Sequence, residues 1–394
     1  MVFADGDWIE SRDQSPEGIR LIQTGNVGNG VFKDRSEKAR YISEATFNRL
    51  RCTEIFEGDC LISRLPDPVG RSCILPNTGE RMITAVDCTI VRFNPKQLIP
   101  KFFNYFSQSL DYLKDVEAET TGTTRKRISK SKLEQVDIPV PPLPEQLRIV
   151  GILDKAFDGI ATAKANAEKN LQNARALFES HLQSVFSQRG EGWVEKRMSE
   201  LCDIKHGFAF KSDFFTSEGD YVLLTPGNFN ESGGYRDRGE KQKFYSGEIP
   251  RGFVLNKGDL LVAMTEQAAG LLGSPILVPE SEKYLHNQRL GLVTKKPGIP
   301  WTNEFFFHVF NTKAVRKEIH DNASGVKVRH TSPTKIGEVV VSFPTMVSEQ
   351  RVIVSRLKDL REETQRLESI YQSKLAALDA LKKSLLHQAF TSRL

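Results

Sequence analysis

The feature that most constrains this 394-residue chain is an internal repeat with a period of roughly 200 residues. Short segments of the first half recur in the same order in the second half. The matched pairs are Gly25-Asn26 with Gly227-Asn228, Gly58-Asp59 with Gly258-Asp259, Phe102-Phe103 with Phe306-Phe307, Gly122 with Gly325, and Glu145-Gln146 with Glu349-Gln350. One such match would be weak, but many at a nearly constant offset indicate a duplication. We therefore expect two similar structures in one chain.

Each repeat has two parts of different character. The first part is rich in Gly, Pro and short apolar runs such as Cys60–Ser63, which predicts strands joined by turns, with a helix or two near residues 101–113 and 303–319. The second part has almost no glycine and no proline after its first residues, which predicts one long helix in each repeat. The predicted fold class is α+β, with two α/β domains (1–142 and 190–346) separated by two helical spacers (143–189 and 347–394).

The two predicted long helices carry apolar residues at heptad spacing, which is typical of a coiled coil. The residues predicted to pack are Leu153, Ile160, Ala167, Ala174 and Leu177 in the first helix and Leu357, Leu360, Leu367, Tyr371, Leu378, Leu381 and Leu385 in the second. Small side chains dominate one helix and large ones the other, so facing layers could interdigitate. We expect the helices to pack antiparallel, with a pseudo-two-fold axis relating the repeats. Separate packing of each helix on its own domain is the alternative.

The bulk composition is compatible with nucleic-acid binding but does not require it. The net charge is +5 and the sequence pI is about 8.8. The five cysteines form no Cys-x-x-Cys pair, so we expect buried, reduced thiols in a cytoplasmic protein. We find no leader segment and no apolar run near the length of a membrane span, so we expect no membrane association.

Basic side chains beside small polar residues can neutralise phosphates and reach the edges of bases. The candidate DNA-binding residues are Arg64, Arg71, Thr123, Thr124, Arg125, Lys126, Arg127, Lys130 and Lys132 in the first repeat and Asn287, Gln288, Arg289, Lys327, Arg329, His330 and Lys335 in the second. A solvated surface turn is the alternative for each of these clusters. The two Gly-Asn pairs fit turn chemistry better than base recognition.

No catalytic constellation is evident in the sequence. We find no Asn/Asp-Pro-Pro-aromatic loop of an amino-methyltransferase, no phosphate-binding Gly-x-x-x-x-Gly-Lys-Ser/Thr loop and no convincing nuclease core. Pro141 and Pro142 follow Val140 and precede Leu143, which does not match the methyltransferase pattern. We therefore predict a chain that is not an enzyme and binds no cofactor or metal of its own.

The Pro-Pro-Leu-Pro-Glu-Gln run at 141–146, with its echo ending at Glu349 and Gln350, occurs together with the two Gly-Asp turns, the two Gly-Asn pairs and the Gly-Thr-Thr segment at 122–124. In this combination of motifs the chain resembles, over nearly its whole length, the specificity subunit of Type I restriction-modification systems. One departure is the segment 193–210, for which the first repeat shows no counterpart.

The resemblance implies that the chain reads a bipartite duplex-DNA target with two target-recognition domains. It also implies two methyltransferase partner subunits that use S-adenosylmethionine to methylate adenine N6, and a nuclease-translocase partner that uses ATP and Mg²⁺. The alternatives are a specificity subunit of another multi-subunit modification-restriction system, a free-standing nuclease with a duplicated reader, and a coiled-coil protein adaptor.

Overall fold

The computed structural model describes residues 1–123, 126–266 and 270–391, and these divide into two compact units. Unit 1 comprises Met1–Lys169 with Tyr371–Leu394, and unit 2 comprises Asn170–Ile370. The boundary between the units cuts both long helices, so each unit includes part of each one. The predicted division into two α/β domains and two helical spacers differs from this partition into units and stays a prediction.

The elements of the first half are β1 (Val2–Asp5), β2 (Gln14–Ser15), β3 (Ile19–Ile22), β4 (Arg40–Ile42), α1 (Glu44–Leu50), β5 (Glu54–Ile55), β6 (Cys60–Ser63), β7 (Ser72–Ile74), β8 (Met82–Thr84), β9 (Cys88–Arg92), α2 (Pro100–Phe106), α3 (Leu110–Ala118), α4 (Lys130–Leu133) and α5 (Leu143–Gln188).

The elements of the second half are β10 (Trp193–Arg197), α6 (Met198–Leu201), β11 (Cys202–His206), β12 (Phe215–Thr216), β13 (Val222–Leu223), β14 (Phe244–Tyr245), β15 (Leu260–Ala263), β16 (Thr265–Glu266), β17 (Pro275–Leu277), β18 (Tyr284–Leu285), β19 (Leu290–Lys295), α7 (Asn303–Phe310), α8 (Lys313–Asp321), β20 (Arg329–His330), α9 (Pro333–Gly337), β21 (Val340–Pro344) and α10 (Val347–Phe390).

The sheet topology of unit 2 repeats that of unit 1. The four-stranded antiparallel sheet β1-β9-β6-β7 of unit 1 corresponds to β11-β19-β15-β17 of unit 2. The second sheet, β2-β4-β3-β8-β5, corresponds to β12-β14-β13-β18, and in both the pair β3–β8 or β13–β18 is parallel. The predicted α+β class and the duplication are confirmed. Because β1 corresponds to β11, the part of 193–210 without a counterpart is smaller than predicted and consists of β10 and α6.

The buried Gln of each Glu-Gln pair anchors a long helix to its unit. The Gln146 side chain accepts a hydrogen bond from Ile99 N (2.9 Å) and donates to Gln97 O and Pro141 O (2.8 and 2.7 Å). Gln350 accepts from Thr302 N (3.0 Å) and donates to Pro300 O and Pro344 O in the same way. Each amide therefore ties the first turn of its helix to the segment that precedes the helix and to a more distant loop of the same unit.

Within each unit the parts of α5 and α10 run antiparallel. In unit 1 Lys164 forms a 2.7 Å ion pair with Asp379, and the Lys382 ammonium lies 4.9 Å from the centre of the Phe157 ring. In unit 2 Arg175 pairs with Glu368 at 3.1 Å, and Arg361 lies over the Phe178 ring. Among the described residues no helix combines the length and the apolar character that a membrane crossing requires.

The packing seam of the long helices differs from a regular heptad. Leu153, Ile160, Ala167, Ala174 and Leu357 are buried, while Leu360, Leu367, Tyr371, Leu378 and Leu385 are half-buried. Leu177 and Leu381, also predicted to pack, are 49% and 46% exposed, which corrects that prediction. In α5 Phe178 and Leu182 are buried instead, so the spacing after Ala174 is four and four rather than three and four and the seam moves by one residue. In α10 Leu386, next to half-buried Leu385, is buried in unit 1.

Candidate nucleic-acid interface

Each unit carries a loop closed by a β-bridge at the position of the predicted basic cluster. Thr121 and Arg127 exchange two backbone hydrogen bonds of 2.9 Å in unit 1, and Ser324 and His330 exchange two of 2.8 and 2.9 Å in unit 2. Gly122 and Gly325 have φ values of +98° and +95°, in the left-handed region that favours glycine. We call residues 121–127 and 324–330 the bridge loops of unit 1 and unit 2.

Each bridge loop is attached to the end of the central strand of its antiparallel sheet. Ile128 N donates to Arg64 O at 3.2 Å in unit 1, directly after β6. In unit 2 Thr331 N donates to Met264 O at 2.9 Å, directly after β15, and Thr265 lies opposite His330 in the pair β16–β20. The equivalent attachment places the two basic clusters at the same site in their units.

The basic side chains around the unit 1 bridge loop are largely paired with acids of the same unit. Lys126 forms an ion pair with Glu117, Arg127 with Asp87 (2.8 Å) and Lys132 with Glu119 (3.1 Å). Thr123 is exposed and Lys130 half-exposed, whereas Thr124 and Arg125 lie outside the described residues. Phosphates would therefore have to compete with carboxylates for Lys126, Arg127 and Lys132.

The unit 2 bridge loop presents exposed Lys327 and His330 on either side of half-buried Arg329. The Arg329 guanidinium contacts the ring and carbonyl of His320 at 3.2 Å, and Lys335 donates to Ser324 Oγ at 2.6 Å. Val326 is 97% exposed within the loop. An apolar side chain in a basic loop is suited to contact with the methyl group of thymine.

Arg64 and Arg71 have structural roles, which contradicts the prediction that they lie in an exposed DNA-reading loop. The Arg64 side chain is 4% exposed, donates to Val86 O and lies 3.4 Å from Asp5. Buried Met264 occupies the equivalent position in unit 2. The side chain at this position is therefore part of the interior in both units.

Arg71 is 7% exposed and binds backbone carbonyls of its own unit. Its guanidinium donates to Val27 O, Leu65 O, Pro68 O and Thr24 O over 2.5–3.0 Å. Burial lowers the pKa of Arg71. These hydrogen bonds give Arg71 a structural role inside unit 1, in place of the predicted DNA contact.

The cluster Asn287, Gln288 and Arg289 is split between the interior and the surface. Asn287 is buried, and its Oδ1 accepts a 3.1 Å hydrogen bond from Arg289 N, so it shapes the turn and does not face solvent as predicted. Gln288 and Arg289 are exposed. The Arg289 side chain lines a cleft of unit 2, together with Arg238 and Lys243.

The Gly-Asn pairs serve as turns, as predicted. Asn26 Oδ1 accepts from Gln23 N at 3.0 Å, and Asn228 Oδ1 accepts from Thr225 N at 3.0 Å. Each turn leads into a basic segment, 33–40 or 236–243, that sequence analysis did not single out. The recurrence of Asp-Arg-x-Glu-Lys in these segments was the signal that could have found them.

Comparisons with known proteins agree with this architecture. A family model described as "Type I restriction modification DNA specificity domain" matches residues 6–172 and 190–374. The specificity subunit of Type I restriction enzyme EcoBI from Escherichia coli is 28% identical over 227 residues, covering 56% of this chain and 43% of the relative. That of MjaVIII from Methanocaldococcus jannaschii is 23% identical over 342 residues, covering 81% of this chain and 77% of the relative. The chain thus spans less than half of the first relative.

Two solved structures share the fold. One chain from a study of complex assembly and conformational transition of the type I R-M system has a TM-score of 0.76 at 17% identity, covering 100% of this chain and 98% of that one. The HsdS subunit from Thermoanaerobacter tengcongensis has a TM-score of 0.59 at 17% identity, covering 95% and 91%. The family model matches both repeats and most of the chain, so the chain belongs to the Type I restriction-modification DNA specificity domain family.

Proposed function

We propose that this chain reads a bipartite duplex-DNA sequence, one part with each unit, and carries out no chemistry itself. The observation that carries the proposal is that the two units share one strand order but present different side chains at the equivalent surface. Unit 1 pairs Arg127 with Asp87, whereas unit 2 has His330 and Arg289 at the equivalent positions. A common frame with different exposed groups is what the recognition of two unlike half-sites requires.

The proposal includes two methyltransferase subunits as protein partners. Leu177 and Leu381 support it, because they occupy equivalent places in the repeats and expose apolar surface on the long helices. One equivalent site in each unit suits two copies of the same partner. S-adenosylmethionine would be bound by those partners, and ATP and Mg²⁺ by a nuclease-translocase partner. We place the complex in the cytoplasm, where its DNA substrate would be accessible.

Methylation sequencing of DNA from cells that express this chain with its modification subunit tests the proposal. We expect methylated adenine in a motif of two parts separated by a gap of fixed length. Cells that express the modification subunit alone are the control and should lack the motif. Replacing both Lys327→Gln and His330→Gln in unit 2 should relax one part and leave the other unchanged. A continuous motif, or the same motif without this chain, would contradict the proposal.

A further inference from the structure

The turns after the two Gly-Asn pairs lead into segments that repeat one pattern of charges. We call residues 33–40 and 236–243 the basic arms of unit 1 and unit 2. Their basic residues correspond one to one: Lys33, Arg35, Lys38 and Arg40 in unit 1, and Arg236, Arg238, Lys241 and Lys243 in unit 2. Two acids recur as well, as Asp34 with Asp237 and Glu37 with Glu240. The surrounding sequence differs between the repeats, so the pattern is a shared property of the two units.

The backbone of each basic arm is held in the same way. Lys33 N donates to Asn26 O at 2.8 Å, and Asn26 Nδ2 donates to Lys33 O at 3.0 Å. In unit 2 Arg236 and Asn228 form the same pair of bonds, at 2.7 and 3.3 Å. A single 3₁₀ turn follows in both arms, at Ser36–Lys38 and Gly239–Lys241. The arms are therefore equivalent in structure as well as in sequence.

One arginine of each arm lies against the glycine of the preceding Gly-Asn pair. A Cβ atom at Gly25 would be 2.6 Å from Arg35 Nη1, and one at Gly227 would be 3.1 Å from Arg238 Nη1. Neither glycine is among the residues with positive φ, so the distances report only that each guanidinium lies beside its Gly-Asn pair. Arg35 and Arg238 therefore lie at equivalent places in the two arms.

The arms differ from the unit 1 bridge loop in their ion pairs. Among the described residues, no acid lies within 4.0 Å of any of the eight basic arm residues, whereas Lys126, Arg127 and Lys132 are all paired. Two of the acids within the arms have other partners: Asp34 pairs with Arg20 outside the arm, and Asp237 Oδ1 accepts from Gly239 N at 2.8 Å within it. Seven of the eight basic residues are exposed and Arg238 is half-buried. A phosphate can bind these cations without displacing a carboxylate.

In unit 2 two cations of the arm line a cleft that adjoins the bridge loop. Arg238, Lys243 and Arg289 line one cleft of about 380 Å³, and Thr265 forms part of the same wall. Thr265 lies opposite His330, so the cleft adjoins the bridge loop. Three cations in one cleft beside a reading loop match the usual division in which phosphate contacts position a protein and base contacts specify the sequence.

We propose that the basic arms bind phosphates of the DNA backbone and position the bridge loops over the bases. This inference rests on the proposed function. Each unit would hold its half-site through its arm, independently of the base sequence, and read it through its bridge loop. The arms are therefore expected to contribute to the affinity and salt dependence of binding, whereas the choice of sequence comes from the loops.

Binding of the full chain, assembled with its modification subunit, to a duplex that carries its methylated motif tests this assignment. The variant Arg238→Gln/Lys243→Gln removes two arm cations. Lys257→Gln/Lys295→Gln is the matched control, because both lysines are exposed at the opposite end of the β15–β19 pair. A plot of log binding constant against log salt concentration should lose about 0.9 in slope for each phosphate contact removed in the arm variant. The control should keep the wild-type slope, and both variants should methylate the wild-type motif.

The outcomes separate the two proposals. Wild-type slope in the arm variant would overturn the arm assignment and leave the proposed function standing. An equal loss of slope in the control would also overturn it, because the effect would then come from net charge alone. A changed motif in the arm variant would mean that the arm reads bases, which contradicts a backbone role. A wild-type complex without salt-dependent binding to the duplex would overturn the proposed function and the arm assignment together.

Discussion

The Arg71 guanidinium joins segments of unit 1 that are far apart in sequence. It donates to Thr24 O and Val27 O on one side and to Leu65 O and Pro68 O on the other. Removal of the donors would leave Val27 O and Pro68 O without these hydrogen bonds, whereas Thr24 O and Leu65 O would keep those from Val27 N and Ser63 Oγ. An unsatisfied buried group costs more than the net gain from an average hydrogen bond, so the effect on stability should be large.

We therefore expect Arg71→Met to lower the free energy of unfolding by roughly 2–4 kcal/mol. Thermal or urea unfolding of the purified chain measures this. Arg12→Met is the control, because the Arg12 side chain is 81% exposed; it should change stability by less than about 0.5 kcal/mol. An Arg71→Met protein that is as stable as wild type but binds DNA more weakly would contradict the structural role and support a DNA contact at Arg71.

Predictions from the sequence were least accurate for the roles of single residues. Arg64 and Arg71 have the composition and spacing of an exposed basic loop, and their burial depends on carbonyls and acids that only the folded chain brings near. The turn role of Asn26 was predictable because its hydrogen bonds are local, to Gln23 and Lys33. Long-range partners cannot be inferred from a local pattern.

At the scale of elements the long helices were predicted well, because a long segment with almost no glycine, and no proline after its first residues, is a local signal. The shorter helices, expected as one or two around 101–113 and 303–319, are two in each place: α2 with α3, and α7 with α8. In both cases a hydroxyl starts a new helix, since Ser109 accepts from Tyr112 N and Thr312 accepts from Val315 N. These N-caps fix the number of helices, which the sequence pattern had left open.

The displaced seam of the long helices gives a prediction for neighbouring residues. Phe178 is 7% exposed and packs with Leu182 and Leu357 in unit 2, whereas Leu177 is exposed. Phe178→Ala should lower the free energy of unfolding by roughly 3 kcal/mol or more, because it leaves a cavity. Leu177→Ala should change it by less than about 0.5 kcal/mol. Denaturant unfolding of the two variants compares them directly, and equal losses would support the regular heptad instead.

At the scale of the whole molecule, the two units differ in their content of histidine. Six of the seven histidines lie in unit 2, and His387 of unit 1 is exposed. Burial lowers the pKa of His286 and of His308 from 6.5 to about 4, and the Arg361 charge adds a smaller effect at His308. Acid should therefore affect unit 2 before unit 1.

The direction in which stability changes with pH follows from the protons that the folded and unfolded chains bind. The unfolded chain takes up a proton at each of these histidines near pH 6.5, whereas the folded chain resists protonation down to about pH 4. Their contribution is complete above about pH 6.5 and is lost progressively as the pH falls toward 4. Over the full window the loss is on the order of 3 kcal/mol for each histidine.

The melting temperature of unit 2 at pH 7 and pH 5 measures this effect. His308→Phe removes one titrating group, so the decrease in melting temperature between the two pH values should be smaller than in wild type. His181→Phe is the control, since His181 is exposed in the same unit and should leave the decrease unchanged. A decrease of the same size in all three proteins would show that these buried histidines do not control acid stability.

The boundary between the units passes through both long helices. This affects the order in which the chain acquires its structure during synthesis. Unit 2 is one continuous stretch, Asn170–Ile370, while unit 1 needs residues from both sides of it. Leu386, Ala389 and Phe390 belong to the hydrophobic core of unit 1. Unit 1 is therefore begun first but can be completed only after unit 2 has been synthesised. Its apolar surface stays uncovered until the end of α10 has been made.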